Sequence, residues 1–180
     1  MSETKEFYFV RHGQTDHNLL EGHAKGDYHG NVPLNNTGRA QATAIEPLIA
    51  TLPIQTICAS PFKRAQETKE ILTARLQVPH HSIEDLGECN SQIWEEMFER
   101  GIGSVLPDDG QVLTFINTVQ KGIEQALALP GPSLIVAHGG VHWAVCCLLN
   151  IQNHNWSINN CGVVRFSLDT EGKWTATKLA

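Results

Sequence analysis

A chain of 180 residues, 41% apolar and 18% charged, has the makings of one substantial core and is far from the composition of a disordered segment. Its formal net charge of -6 speaks against a general nucleic-acid or anionic-membrane surface and leaves room only for a local pocket of placed cations. Met1 to Glu6 is polar with no apolar core behind it, and no window is long and apolar enough to span a bilayer, so a soluble, cytoplasmic protein is expected.

In chain order, the run Phe7-Tyr8-Phe9-Val10 reads as a buried strand that stops at Arg11-His12-Gly13. Such a strand delivers a guanidinium and an imidazole to its carboxyl end, where open α/β sheets bind ligands, and Gly13 permits a sharp turn there. Thr15 is a candidate cap for a short helix through Asn18, Leu19 and Leu20. Residues 22–35, rich in Gly, His, Asn and Pro, read as a loop across the mouth of the strand ends. Asn36 or Thr37 caps a helix with Ala40, Ala44, Ile45, Leu48 and Ile49 on one face, closed by Pro53. Residues 54–59 form a second strand ending at Ser60-Pro61. From Phe62 the spacing of Ala65, Thr68, Ile71, Leu72 and Leu76 is helical, and it carries Arg64 to the same side of the sheet as Arg11 and His12.

Residues 80–84 read as a weak third strand, and residues 93–110 as the least regular stretch, with a short helix around Trp94 to Phe98. A long helix over residues 111–129 ends at Pro130-Gly131-Pro132. Ser133-Leu134-Ile135-Val136-Ala137 is a second strongly apolar strand, and it too ends in histidine and glycine, His138-Gly139-Gly140. A buried helix over residues 141–150 and two edge strands, Gly162 to Phe166 and Trp174 to Thr177, complete the chain. This alternation predicts an α/β fold with a mostly parallel sheet and helices on both faces, in one domain over residues 1–180. Cys58, Cys89, Cys146, Cys147 and Cys161 are odd in number and lack Cys-x-x-Cys spacing, which reads as buried reduced thiols.

If the two histidine-ended strands are parallel neighbours, His12 and His138 face one another with Arg11 and Arg64 beside them. Two guanidiniums and two imidazoles in one crevice make an anion site, and a helix starting at Gly139 adds backbone N–H groups and the positive end of its dipole. The expected ligand is a phosphoryl group.

Five separated blocks stand in order: Val10-Arg11-His12-Gly13-Gln14-Thr15 with Asn18; Pro33-Leu34-Asn35-x-x-Gly38-x-x-Gln41-Ala42; Ser60-Pro61-x-x-Arg64-Ala65-x-x-Thr68; Leu86-x-Glu88; and Val136-Ala137-His138-Gly139-Gly140. This pattern resembles the histidine phosphatase superfamily, with its phosphoglycerate mutase-like fold. The resemblance implies a three-layer α/β/α sandwich and a metal-free, cofactor-free reaction through phosphohistidine. Carried over by position, it makes His12 the nucleophile, Arg11, Arg64 and His138 the holders of phosphate oxygens with Asn18 in support, and Glu88 the acid that protonates the leaving oxygen.

The sequence departs from the family at the rim. His23-Ala24-Lys25-Gly26 replaces a more usual Arg-x-Gln-Gly, Gln92-Ile93-Trp94-Glu95-Glu96 follows the acid, and Gly110-Gln111-Val112 precedes the long helix. Residues 90–110 form a short lid insertion with Arg100 as its single cation and several acids. Relatives that act as mutases carry a longer, cation-bearing insertion, so the expectation is a phosphatase for a small phosphomonoester. A cofactor-dependent phosphoglycerate mutase and a phosphoprotein phosphatase, acting on phosphohistidine or phosphotyrosine, are the alternatives. A homodimer is allowed by the sequence without being determined by it. His138 and His142 stand four apart, a spacing that can hold a metal, yet the first is already claimed by the phosphate. His17, His23, His29 and His142 either line the pocket mouth or serve elsewhere.

Overall fold

The computed structural model describes residues 6–19, 32–100 and 106–180. Its strands are β1 (Glu6–Arg11), β2 (Thr56–Ala59), β3 (His80–Ser82), β4 (Ser133–Ala137), β5 (Val163–Leu168) and β6 (Trp174–Lys178). Its helices are α1 (Asn36–Ile49), α2 (Lys63–Leu72), α3 (Ser91–Arg100), α4 (Gly110–Leu127) and α5 (Gly139–Leu148). The strands form one sheet in the order β3-β2-β4-β1-β5-β6, parallel from β3 to β1 and antiparallel at β5 and β6.

The two-residue period of a strand divides the core into two layers. Phe7 and Phe9 of β1 and Ile135 and Ala137 of β4 join the cluster formed with α4 and α5. Tyr8, Val10, Leu134 and Val136 join the one formed with Ala42 and Ile49 of α1 and Ala65 and Leu72 of α2. Helices therefore cover both faces of a central sheet, the three-layer α/β arrangement.

Element boundaries move where side chains cap or release the backbone. α1 is capped by Asn35, one residue before the expected positions, because its Oδ1 accepts the Gly38 N–H at 2.9 Å. α3 is a full 10 residues, since Asn90 Oδ1 accepts the Ile93 N–H at 2.9 Å and starts it early. α2 stops at Leu72 short of Leu76, because Thr73 leaves the helical conformation with φ of -112°. β2 begins only at Thr56, the Ile54 N–H having turned back to the Leu52 carbonyl at 2.8 Å. The expected helix after Thr15 is a single 3-10 turn over Asp16–Leu19, and Thr15 does not cap it: its N–H and hydroxyl donate to Asn18 Oδ1 at 2.9 and 3.1 Å. β5 is an interior strand between β1 and β6, so only β6 of the final pair is an edge.

Candidate active site

The register of β1 against β4 runs from Phe7 opposite Ser133 to Arg11 opposite Ala137, so the next residues, His12 and His138, leave the sheet side by side. The His12 N–H continues the ladder to the Ala137 carbonyl at 2.9 Å, and the two rings meet edge to face at 5.1 Å. The turn after them is held from three sides. Thr68 Oγ1 accepts the Gly13 N–H at 3.0 Å and donates to the Arg64 carbonyl at 2.7 Å, tying the turn to the helix that carries Arg64. Asn160 Nδ2 donates to the His12 carbonyl at 3.0 Å, and the Cys161 N–H to the Arg11 carbonyl at 3.0 Å. A Cβ on Gly13 would run into the Gly38 backbone, and one on Gly38 into the backbone of Gln14, so the two segments pack chain against chain.

His12 is buried, and its hydrogen bonds define its tautomer. Nδ1 lies 2.7 Å from the Gly13 carbonyl, which only accepts, so Nδ1 carries the proton. Nε2 is then the lone pair, and Arg64 Nε donates to it at 3.3 Å. Burial first, then the charges of Arg64 and Arg11, hold the His12 pKa down to about 3, so the ring is neutral at physiological pH.

Arg64 is buried, stacked over the Phe62 ring at 4.9 Å. Arg11 donates through one terminal nitrogen to the Ile158 carbonyl at 2.7 Å, while its Nε is buried without a partner. His138 is fully buried; its Nε2 pairs with Ser60 Oγ at 2.7 Å, and its Nδ1 is likewise buried without a partner. The Phe62 N–H also donates to Ser60 Oγ at 3.3 Å, and the hydroxyl, with a second lone pair and a proton of its own, can serve His138 Nε2 as acceptor or donor. Burial, with His12 and the arginines adding, keeps His138 neutral as well. Two buried nitrogens without partners, Arg11 Nε and His138 Nδ1, thus belong to side chains that face His12, and an oxyanion would satisfy both.

Glu88 approaches from the other side. Its Oε2 accepts the Gly140 N–H at 3.2 Å, in the first turn of α5, and Oε1 accepts the Cys89 N–H at 3.1 Å. Gly140 has no room for a side chain, because a Cβ would sit against the Glu88 carboxylate. Burial raises the Glu88 pKa and outweighs the Gly140 hydrogen bond and the nearby Arg64 and Arg11. Gly139 packs beside Arg11 Nε and the Trp94 ring.

Asn18 is exposed at the rim; its Oδ1 is engaged by Thr15 and, at 3.4 Å, by Asn160, so the end it offers a ligand is its NH2 donor. His17 is exposed in the 3-10 turn. His142 is buried in the core layer, with Nδ1 at 2.8 Å from the Trp156 carbonyl and its ring against Phe9, so the His138–His142 spacing does not converge on one point. His23 and His29, with the rim stretch around Lys25, lie outside the described residues. All five cysteines are buried, and burial pushes each thiol up, Cys161 to about 12, which makes them packing groups. Sequence reasoning gave no roles to Ser60 and Thr68; their signal was a place in the Ser-Pro-x-x-Arg-Ala-x-x-Thr block, with Thr68 one helical turn after Arg64.

A family model of the histidine phosphatase superfamily (branch 1) matches residues 7–180, and the chain belongs to that superfamily. It is 34% identical over 179 residues to an agropine synthesis reductase of Rhizobium rhizogenes, covering 92% of this chain and 40% of that protein. The chain thus spans about two fifths of that relative's length. It is 31% identical over 137 residues to the uncharacterized phosphatase PhoE of Bacillus subtilis, covering 72% of this chain and 69% of that one. Among solved structures it resembles mycobacterial hydrolase 1 with a TM-score of 0.70 at 20% identity, over 97% of each chain. Among the described residues no helix is long and apolar enough to cross a membrane.

Proposed function

We propose that this chain is a metal-independent phosphomonoester hydrolase that works through a phosphohistidine at His12. The observation that carries the reading is the set of side chains around His12: a neutral ring with its lone pair on Nε2, the Arg64 guanidinium on that lone pair, and Arg11 Nε and His138 Nδ1 buried without partners. Phosphoryl transfer has a loose transition state with charge on the equatorial oxygens, so catalysis is mostly positioning plus fixed positive charge. Arg11, Arg64 and His138 supply both.

In the first step the phosphate displaces Arg64 Nε from the His12 lone pair. Nε2 attacks phosphorus, the ester P–O bond breaks, and the departing alkoxide takes the Glu88 proton. The His12 Nδ1 proton stays on the ring, donated to the Gly13 carbonyl, whose dipole stabilises the positive charge that develops there. In the second step water attacks the phosphohistidine, the Glu88 carboxylate takes its proton, and inorganic phosphate leaves with neutral His12 restored. The raised pKa of Glu88 suits it to both roles.

A mutase needs cations at the lid to grip a substrate carboxylate. The one cation of the lid stretch, Arg100, is paired with Glu96 at 2.7 Å on the surface of α3, which supports hydrolysis over isomerisation. The test is hydrolysis of p-nitrophenyl phosphate in the presence of chelator by the wild type and by His12→Ala, with trapping of an acid-labile phosphoenzyme. Chelator-resistant activity lost with His12 is the expected result; activity that survives in the variant, or that chelator abolishes, overturns the mechanism.

A further inference from the structure

Beside the proposed phosphate site is a cavity of about 330 Å³ that the reaction as described leaves unused. Trp94, Met97 and Phe98 of α3, Trp143 of α5, and Trp156, Ser157 and Ile158 before β5 form its walls. Arg11 and Gly139 also line it, so the cavity and the proposed phosphate site share the guanidinium at the end of β1 and the residue that follows His138. Among the described residues lining it, Arg11 carries the only charge. Phe98 is 81% exposed and stands at the rim of this cavity.

Resting on the hydrolase reading above, we infer that the cavity holds the alcohol portion of the substrate, and that this portion is an uncharged apolar or aromatic group of one to two rings. A phosphate seated on Arg11 places its ester oxygen where the rest of the molecule must leave the charged groups, and among the described residues this cavity opens onto that guanidinium. A carboxylated, polyhydroxylated or amino-bearing alcohol would lose its hydration among indole rings, where Ser157 is the one hydroxyl side chain among the described lining residues. An apolar ring gains from the same burial, with aromatic edge and face contacts adding to it. The volume agrees: it lies at the low end of small-molecule pockets, roughly 300 Å³ and above, and is about twice that of an engineered cavity of about 150 Å³ that takes up benzene. The rim ring of Phe98 then becomes a surface that the substrate covers on binding.

The test compares benzyl phosphate with glycerol phosphate, two esters whose leaving groups are both alkoxides, in the wild type, Phe98→Ala and Trp94→Ala. The expected result is a preference for benzyl phosphate of at least about tenfold in kcat/KM, and a loss of about tenfold in each variant that falls on KM. Inhibition by inorganic phosphate, which reports the phosphate site, shifts by less than about threefold. Three of the four tryptophans line the cavity, so benzyl alcohol alone should change the intrinsic emission saturably, and less so in Trp94→Ala. Equal kcat/KM for the two esters with no emission change on adding benzyl alcohol overturns the inference and leaves the hydrolase standing. Saturable binding of benzyl alcohol with no hydrolysis of either ester supports the cavity's ligand class and overturns the hydrolase reading instead.

Discussion

At the scale of single residues, the proposed chemistry depends on two proton positions. His12 holds its proton on Nδ1 because the Gly13 carbonyl can only accept, which leaves Nε2 as a nucleophile. The Glu88 pKa is raised because burial outweighs the Gly140 N–H and two arginines, which favours the protonated carboxyl. Glu88→Gln keeps the shape and the hydrogen bond from Gly140 but has no acid proton. It should bind inorganic phosphate as the wild type does and lose about two to four powers of ten on alkyl phosphates, with a much smaller loss on p-nitrophenyl phosphate. For the wild type, alkyl ester turnover falls as pH rises through the raised Glu88 pKa, and a pH profile unchanged in Glu88→Gln would remove that residue from the acid role. Gly140→Ala makes a parallel case from the backbone side. Its Cβ would push the Glu88 carboxylate aside and crowd the buried Cys89 Sγ, so alkyl ester turnover should drop together with some loss of thermal stability; wild-type turnover would show that the carboxylate position is immaterial.

At the scale of elements, the two halves of the proposed phosphate site come from β1 and from α2, and Thr68 joins them through one hydroxyl. Thr68→Val keeps the volume and deletes the hydroxyl, which leaves the buried Gly13 N–H without an acceptor. A cost of about 1–3 kcal/mol is expected in urea denaturation, with a several-fold weaker inhibition by inorganic phosphate because Arg64 is no longer tied to the His12 turn. Unchanged phosphate affinity in a destabilised variant would confine Thr68 to folding. The elements themselves were largely readable in the sequence, where apolar periodicity separates strands from helices. Boundaries were less so: Asn35 caps α1 and Asn90 caps α3, and α2 ends early where Thr73 abandons the helix.

At the scale of the whole molecule, three histidines buried without charge make the fold sensitive to acid. The native pKa values are about 3 for His12 and about 4 for His142, with His138 also held well down, against about 6.5 in an unfolded chain. Below pH of about 6.5 the unfolded state binds protons that the native state does not. Stability should therefore fall as pH drops, by up to about 1.4 kcal/mol per pH unit for each histidine, with Glu88 offsetting one proton because its native pKa lies above the ordinary one. Urea midpoints from pH 7 down to about pH 5 measure this, and inorganic phosphate, which binds only the native cradle, should raise them. A midpoint that is flat with pH would mean that these histidines are already protonated in the fold.

Some of this protein was determined by the sequence alone. Strands ending in Arg11-His12-Gly13 and His138-Gly139 announce their chemistry locally, because a strand's direction fixes which end carries the charge and parallel pairing brings like ends together. The recurrence of five blocks in order was enough to identify the family later matched over residues 7–180. What only the tertiary structure decided lies between residues far apart in the chain. The hydrogen bond of His138 depends on Ser60, the seating of Glu88 on Gly140, and the cavity on indoles from Trp94, Trp143 and Trp156. Contacts across 50 or more positions leave no periodic trace, since spacing records which face a residue occupies and not which partner it meets there.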